Sequence, residues 1–282
     1  MYCHWDSLLD VLPSRFRAEA DKQGKNTLQE FRMRIHKPAL MVTSKGTISL
    51  KEIVTPGDLN FVIQIASRYS PWAAATMAKG YLTAQGAHRI GVCGEAVVKN
   101  GEVTGFREIT SLCIRVARDF PGIGERASKL EGNILLLGPP AWGKTTLLRD
   151  LLRQISKQAG QCVGVVDERG ELFPKANGRF LFPLGGNLDV VSLCPKAEGL
   201  DMILRTMGPT CIGVDEVTSA ADCDALVKAG WCGVRLIATV HAKSLHDLKT
   251  RPVYKPLIEK GLFDWSVILH EDKSYHWERM KL

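Results

Sequence analysis

The chain has 282 residues, 45% of them hydrophobic and 24% charged, with a formal net charge of +7. That is enough apolar material for one large or two ordinary packed domains, and it excludes a disordered or low-complexity protein. No window approaches the roughly 20 unbroken apolar residues of a spanning helix, and the polar start from Met1 to Asp6 has no signal-peptide shape, so the soluble cytoplasm is the expected address.

Eight cysteines, at 3, 93, 113, 162, 194, 211, 223 and 232, lack paired C-x-x-C spacing and read as reduced, buried small hydrophobes, neither staples nor zinc ligands. The basic residues are dispersed among acids, which is the pattern of a solvated basic surface.

Along the chain, Leu28 to Ile35 alternates at period two as a half-buried strand does, and Pro38 and Gly46 punctuate two further short strands. A helix is predicted over Pro56–Arg68, with Thr55 as its cap and Leu59, Val62, Ile63 and Ile65 on its apolar face. The Gly-rich stretch Gly80 to Gly94 reads as turns between strands. Pro121-Gly122-Ile123-Gly124 is the best linker, so a smaller α+β domain is expected over 1–121 and a second domain over 122–282.

The second domain alternates apolar strands with helices, the pattern of a parallel sheet covered on both faces. Strands are predicted at Ile134–Leu137, Cys162–Val166, Leu188–Val191, Cys211–Val214 and Val234–Val240, the last taken as the final parallel strand. Helices fit at Thr146–Lys157, Gly199–Met207 and Ala220–Ala229. Trp265–His270 and Ser274–Glu278 alternate as a terminal hairpin would, with Asp272-Lys273 near its turn.

Directly after the first of these strands, Gly138-Pro139-Pro140-Ala141-Trp142-Gly143-Lys144-Thr145-Thr146 fills G-x-x-x-x-G-K-T, the pattern of a phosphate-binding loop. Glycines let backbone N–H groups turn inward around a phosphate, Lys144 supplies a charge to the β and γ oxygens, and the Thr145 hydroxyl suits magnesium. The following helix aims its positive end at the same anion. ATP and Mg2+ are therefore the expected cofactors.

Such a loop needs a carboxylate for the magnesium shell and another for the attacking water. Cys211–Val214 ends in both: Asp215 is the expected metal residue beside Thr145, and Glu216 the water-activating one. Val165-Val166-Asp167-Glu168-Arg169-Gly170-Glu171 also ends a strand in acids, and Glu168 and Glu171 are candidates for the same network. Thr239 and His241 close another strand, where they are expected to contact the γ-phosphate. Lys144, Glu216, Glu168 and His241 are thus the candidate catalytic residues.

The set Gly138–Thr146, Asp167-Glu168-Arg169, Asp215-Glu216 and Thr239-Val240-His241-Ala242 resembles the Walker A, Asp box, Walker B and His box of secretion-type ATPases. Phe31-Arg32-Met33-Arg34, Gly80-Tyr81-Leu82-Thr83, His88-Arg89-Ile90-Gly91-Val92, Cys194-Pro195-Lys196-Ala197-Glu198-Gly199 and Ile203-Leu204-Arg205 resemble the stage III sporulation protein AA family.

The resemblance implies a RecA/AAA-like P-loop core after the α+β domain, and an ATPase converting ATP and water to ADP and phosphate. It further implies a mother-cell motor for a secretion-like channel to the forespore, peripheral at the membrane face. Membrane-embedded sporulation channel proteins would be its partners, and itself as a homo-hexamer. An arginine from the first domain or a neighbouring subunit would complete the site, the candidates being Arg89, Arg107, Arg115 and Arg118.

The sequence departs from these patterns at Ala87, where the sporulation relatives usually show glycine, and in lacking the paired histidines of the secretion ATPases before Val234. Two other readings compete: a nucleic-acid-remodelling ATPase and a non-hydrolysing nucleotide-dependent scaffold. No dense Lys/Arg run or RNP-like aromatic pattern supports nucleic acid, and Glu216 argues against a pure binder.

Overall fold

A computed structural model describes residues 1–67, 73–176 and 178–280, and the predicted helix end at Arg68 lies outside them. The chain divides into two compact units, Met1–Asp119 with Lys175–Leu181, and Phe120–Pro174 with Phe182–Leu282.

The first unit opens with α1 (Trp5–Val11) and α2 (Ser14–Thr27), which bury Leu8, Val11, Phe16 and Ala20. Strands β1 (Leu28–Arg34), β2 (Pro38–Thr43) and β3 (Gly46–Ile53) form a meander. Leu28, Phe31 and Met33 of β1 are fully buried, as the period-two pattern requires. Helix α3 (Pro56–Ser67) is capped reciprocally: Thr55 Oγ1 accepts from Asp58 N at 3.3 Å, and Asp58 accepts from Thr55 N at 2.7 Å. After α4 (Ala73–Ala78) come β4 (Tyr81–Thr83), β5 (Arg89–Lys99) and β6 (Glu102–Arg115). Among the described residues the six strands form an antiparallel sheet in the order β3-β2-β1-β6-β5-β4.

The predicted turn before β5 is a short 3-10 segment over Gln85–Ala87. Ala87 holds φ 70°, a left-handed conformation that suits glycine better than alanine. The departure from the sporulation pattern thus falls on a backbone position where glycine would be unstrained.

The second unit runs through α5 (Glu125–Ser128), β7 (Ile134–Leu137), α6 (Lys144–Ile155) and β8 (Val163–Asp167). The chain then detours through a small hairpin, β9 (Lys175–Ala176) and β10 (Arg179–Phe180), which groups with the first unit. It returns through β11 (Leu188–Ser192), α7 (Lys196–Thr206), β12 (Cys211–Val214), α8 (Ala220–Trp231), β13 (Arg235–Val240), α9 (Leu245–Thr250), α10 (Lys255–Glu259), β14 (Trp265–Leu269) and β15 (Tyr275–Arg279).

Among the described residues these strands form a seven-stranded sheet, β11-β8-β12-β13-β7-β14-β15, parallel except for β15. The expectation that Val240 ends the last parallel strand is corrected here, because β14 pairs with β7 in parallel, Val267 opposite Leu136, before turning back into β15.

Both faces of this sheet are covered, which is why β7 and β12 are buried along their whole length. On one face Ile212 and Val214 join a core with Leu200 and Ile203 of α7 and Cys223, Leu226 and Val227 of α8. On the other, α6 comes so close that a Cβ on Gly213 would lie 2.2 Å from Leu152 Cδ1. The carboxyl ends of β7, β8, β12 and β13 therefore share one edge of a closely covered sheet, where ligands of open parallel sheets gather.

Candidate active site

The loop between β7 and α6 begins at buried Gly138 and ends at Gly143, the residue before α6, at φ 97°. Ala141 is also left-handed, at φ 64°. Inside this loop the Lys144 ammonium, 6% exposed, donates to the carbonyls of Gly138 at 2.7 Å and Pro139 at 2.9 Å. Burial pushes its pKa down to about 8, against the opposing pull of Asp215 and Glu216. Trp142 is half-buried and Pro140 exposed, and Thr146 continues the first turn of α6.

The neighbouring strands supply the oxygens. Thr145 Oγ1 donates to Asp215 Oδ2 at 2.8 Å, just past the end of β12. Thr239 Oγ1, at the next position across the sheet, donates to Asp215 Oδ1 at 2.6 Å and accepts from Glu216 N at 2.8 Å. Thr239 is fully buried, and its hydroxyl braces Asp215. Glu216 follows at φ 53°, a strained conformation for a non-glycine residue.

A chain of contacts then joins Lys144 to Glu216. Lys144 Nζ lies 3.0 Å from His241 Nδ1, and His241 Nε2 lies 2.9 Å from Glu216 Oε1. An ammonium only donates, so His241 Nδ1 accepts and its proton sits on Nε2, facing the carboxylate. Arg169 Nη1 holds the other Glu216 oxygen at 2.5 Å. Burial alone would raise the Glu216 carboxyl, but the His241 hydrogen bond and the charges of Arg169 and Lys196 hold it below its usual range.

Glu168 is placed differently. Its carboxylate pairs with the buried Lys196 at the start of α7, and Lys196 also lies 3.9 Å from Asp222. Asp167 organises the loop: Oδ1 accepts from Glu171 N at 2.8 Å, and Oδ2 from Leu172 N at 3.0 Å and Phe173 N at 2.9 Å. Burial pushes the Asp167 pKa up to about 6. Glu171 gives its backbone to this loop, its carbonyl accepting from Arg149 at 2.8 Å.

The structure therefore brings Lys144, Thr145, Asp215, Glu216 and His241 together and sets Glu168 on Lys196. Arg169 as a Glu216 partner and Lys196 as a Glu168 partner were missed as functional residues, since both reach across loops far apart in sequence. The four candidate arginines each have a local partner: Arg89 stacks on Tyr81, Arg107 pairs with Glu95, Arg115 with Glu30, and Arg118 donates to the Leu28 carbonyl.

The oxygens of Thr145 and Asp215 suit a hard divalent cation. No cluster of three or more His, Cys, Asp or Glu able to hold a metal occurs among the described residues.

The family model for sporulation stage III, protein AA matches residues 6–276. The chain belongs to this family. Stage III sporulation protein AA of Bacillus subtilis (strain 168) is 36% identical to it over 274 residues, covering 92% of this chain and 89% of the relative. Among solved structures, the ATPase DotB of Legionella pneumophila is similar at a TM-score of 0.60 and 14% identity, over 95% of this chain and 81% of that one. The pilus retraction motor PilT with bound ADP follows at 0.59 and 13%, over 89% and 76%.

This sporulation protein AA chain thus has the α/β P-loop fold of the secretion-type ATPases, as its motifs implied. Among the phrases that carried the family resemblance, Phe31–Arg34 lies in β1, Tyr81–Thr83 forms β4, and Cys194 to Gly199 leads into α7. No helix among the described residues is long and apolar enough to cross a membrane.

Proposed function

We propose that this sporulation-family protein binds ATP and magnesium at Gly138–Thr146 and hydrolyses ATP to ADP and phosphate. Its place would be the mother-cell cytoplasm, as a homo-hexameric motor peripheral to membrane-embedded proteins of a secretion-like channel. The observation that carries the catalytic reading is the hydrogen bond from Thr145 to Asp215, flanked by Lys144 on one side and Glu216 on the other.

Thr145 and Asp215 would hold the cation, which when bound neutralises phosphate charge. Lys144 now rests on the Gly138 and Pro139 carbonyls, so a phosphate entering the loop offers its ammonium a charged acceptor in place of neutral ones. Glu216 Oε1 is held by His241, which keeps the carboxylate oriented. Release of Arg169 frees Oε2 to accept a proton from the attacking water.

A second reading is a nucleotide-dependent scaffold that does not hydrolyse. The engagement of both Glu216 oxygens favours it.

Phosphate release and ADP binding by the wild type, Lys144→Ala and Glu216→Gln test these readings together. We expect Lys144→Ala to lose binding, and Glu216→Gln to bind normally while turning over at least ~100-fold more slowly. Wild-type hydrolysis in Lys144→Ala would sink the site. Binding without any turnover in the wild type, at every protein concentration, selects the scaffold.

A further inference from the structure

One lysine reaches the phosphate loop from the last hairpin of the chain. Lys273 sits in the turn between β14 and β15, and its Nζ donates to the Ala141 carbonyl at 2.6 Å. The turn is built to aim it. Lys273 itself is left-handed at φ 71°, its N–H donates to the His270 carbonyl at 3.0 Å, and His270 N donates to the Ser274 carbonyl at 2.9 Å. Asp272 Oδ1 closes the turn by accepting from Ser274 N at 2.9 Å and Ser274 Oγ at 2.6 Å.

The same hairpin lines the loop's two glycines. A Cβ on Gly138 would lie 3.4 Å from Leu269 Cβ, and one on Gly143 would lie 3.9 Å from both Leu269 Cδ2 and Lys273 Cδ.

We propose that Lys273 is a positioning residue for the phosphate loop, holding the Ala141–Trp142 peptide so that its N–H serves a polyphosphate. This rests on the nucleotide reading of Gly138–Thr146. A phosphate cradle needs N–H groups turned inward, which turns carbonyls outward. The left-handed Ala141 makes such a turn at a cost that a non-glycine residue does not bear unaided. A cation on the outward carbonyl stabilises that orientation. It also polarises the shared peptide group, strengthening the Trp142 N–H as a donor. Lys144 works on the phosphate directly, whereas Lys273 acts through the backbone of the loop.

The test uses the full chain with Lys273→Met, which keeps the stem and loses the donor, and Lys273→Arg, which keeps donor and charge. Hydrogen exchange of residues 138–146 is measured without nucleotide, and ADP affinity is measured by calorimetry at fixed magnesium. We expect Lys273→Met to exchange faster across the loop and bind ADP about five-fold more weakly, with an unchanged melting temperature, and Lys273→Arg to restore both. Wild-type exchange and affinity in Lys273→Met, or no rescue by Lys273→Arg, overturns the proposal. Lys144→Ala is the control. If it keeps full ADP affinity the nucleotide reading falls, while loop exchange in Lys273→Met still decides whether Lys273 holds the loop.

Discussion

Lys144 carries a charge that its surroundings do not fully support. Its folded pKa of about 8 lies below the unfolded 10.5, so between these values the unfolded chain binds more protons and stability rises with pH. On the proposed nucleotide reading, affinity should have the opposite trend, because the anion needs the ammonium. We expect ADP affinity at fixed magnesium to fall as pH rises from 7 to 9.5, and calorimetry near pH 8.5 to show proton uptake on binding. Affinity that stays flat over this range would separate Lys144 from phosphate recognition.

His88 is the first unit's counterpart, a histidine used for structure. Fully buried, it accepts from Ala117 N at 3.1 Å through Nδ1, which leaves the Nε2 proton for the His4 carbonyl at 2.9 Å. Burial lowers its pKa from 6.5 to about 4. The unfolded chain therefore binds more protons across that window, and the stability from neutral His88 is complete above pH 6.5 and lost as pH falls toward 4. An imidazole resonance titrating with a midpoint near 4, alongside a falling urea midpoint, is the expected result. A midpoint near 6.5 would contradict the buried geometry.

At the scale of elements, α6 does more than present Lys144 and Thr145. Asp150, on the same helix and fully buried, accepts from Gly122 N at 2.9 Å and Gly124 N at 2.7 Å, and pairs with buried Arg153 at 3.0 Å. The segment ahead of α5 is thereby tied to the helix that follows the phosphate loop. A Cβ on Gly124 would meet Leu151 N at 2.5 Å, so the approach requires glycine. Removing the carboxylate takes the anionic acceptor from buried Arg153 while its bond to the Pro183 carbonyl at 2.8 Å remains, at a cost of about 3–5 kcal/mol. Asp150→Ala should lower the melting temperature by on the order of 10 °C, and Asp150→Asn by less. A shift under about 2 °C would show that the pair contributes little.

Elements whose evidence is local were legible in the sequence. The β7 apolar run, the glycines before Lys144 and the acids after Val214 each announce themselves within a few residues, and together they gave the strand, the loop and the carboxylates. Elements defined by distant partners were not. Trp265–Leu269 alternates like any hairpin strand, and nothing in it says that its other neighbour is β7, running parallel. Thr239 showed a polar group at a strand end, but only its burial reveals that it serves Asp215. The opening helices were missed because α2 is strongly polar and non-helical at Gly24, so its apolar stripe reduces to Phe16 and Ala20. Lys273 lay in a predicted turn, with no local sign that its amine reaches Ala141.

For the whole molecule, a ring that completes its sites between subunits would make activity depend on concentration. A P-loop domain is slow until an arginine from elsewhere neutralises transition-state charge. Specific ATPase activity of the full chain should then rise with protein concentration, and sedimentation with magnesium and a non-hydrolysable ATP analogue should show a six-fold mass. A monomer under every condition would remove the ring from the proposal. A domain boundary near residue 122 remains our proposal, and the detour through Lys175–Leu181 has no sequence signal because each of its strands is two residues long.

That detour has a consequence for synthesis. The first unit ends its main run at Asp119 but takes its final strands from Lys175–Leu181, which leave the ribosome only after the phosphate loop, α6 and β8. The His4 imidazole waits for the Leu181 carbonyl, 3.1 Å away in the finished fold, until Phe120–Pro174 of the second unit has been translated. The two units therefore cannot be completed in strict succession as the chain grows. A ribosome stalled near residue 160 would carry a first unit without its last hairpin, and a phosphate loop that has not yet met Asp215, His241 or Lys273.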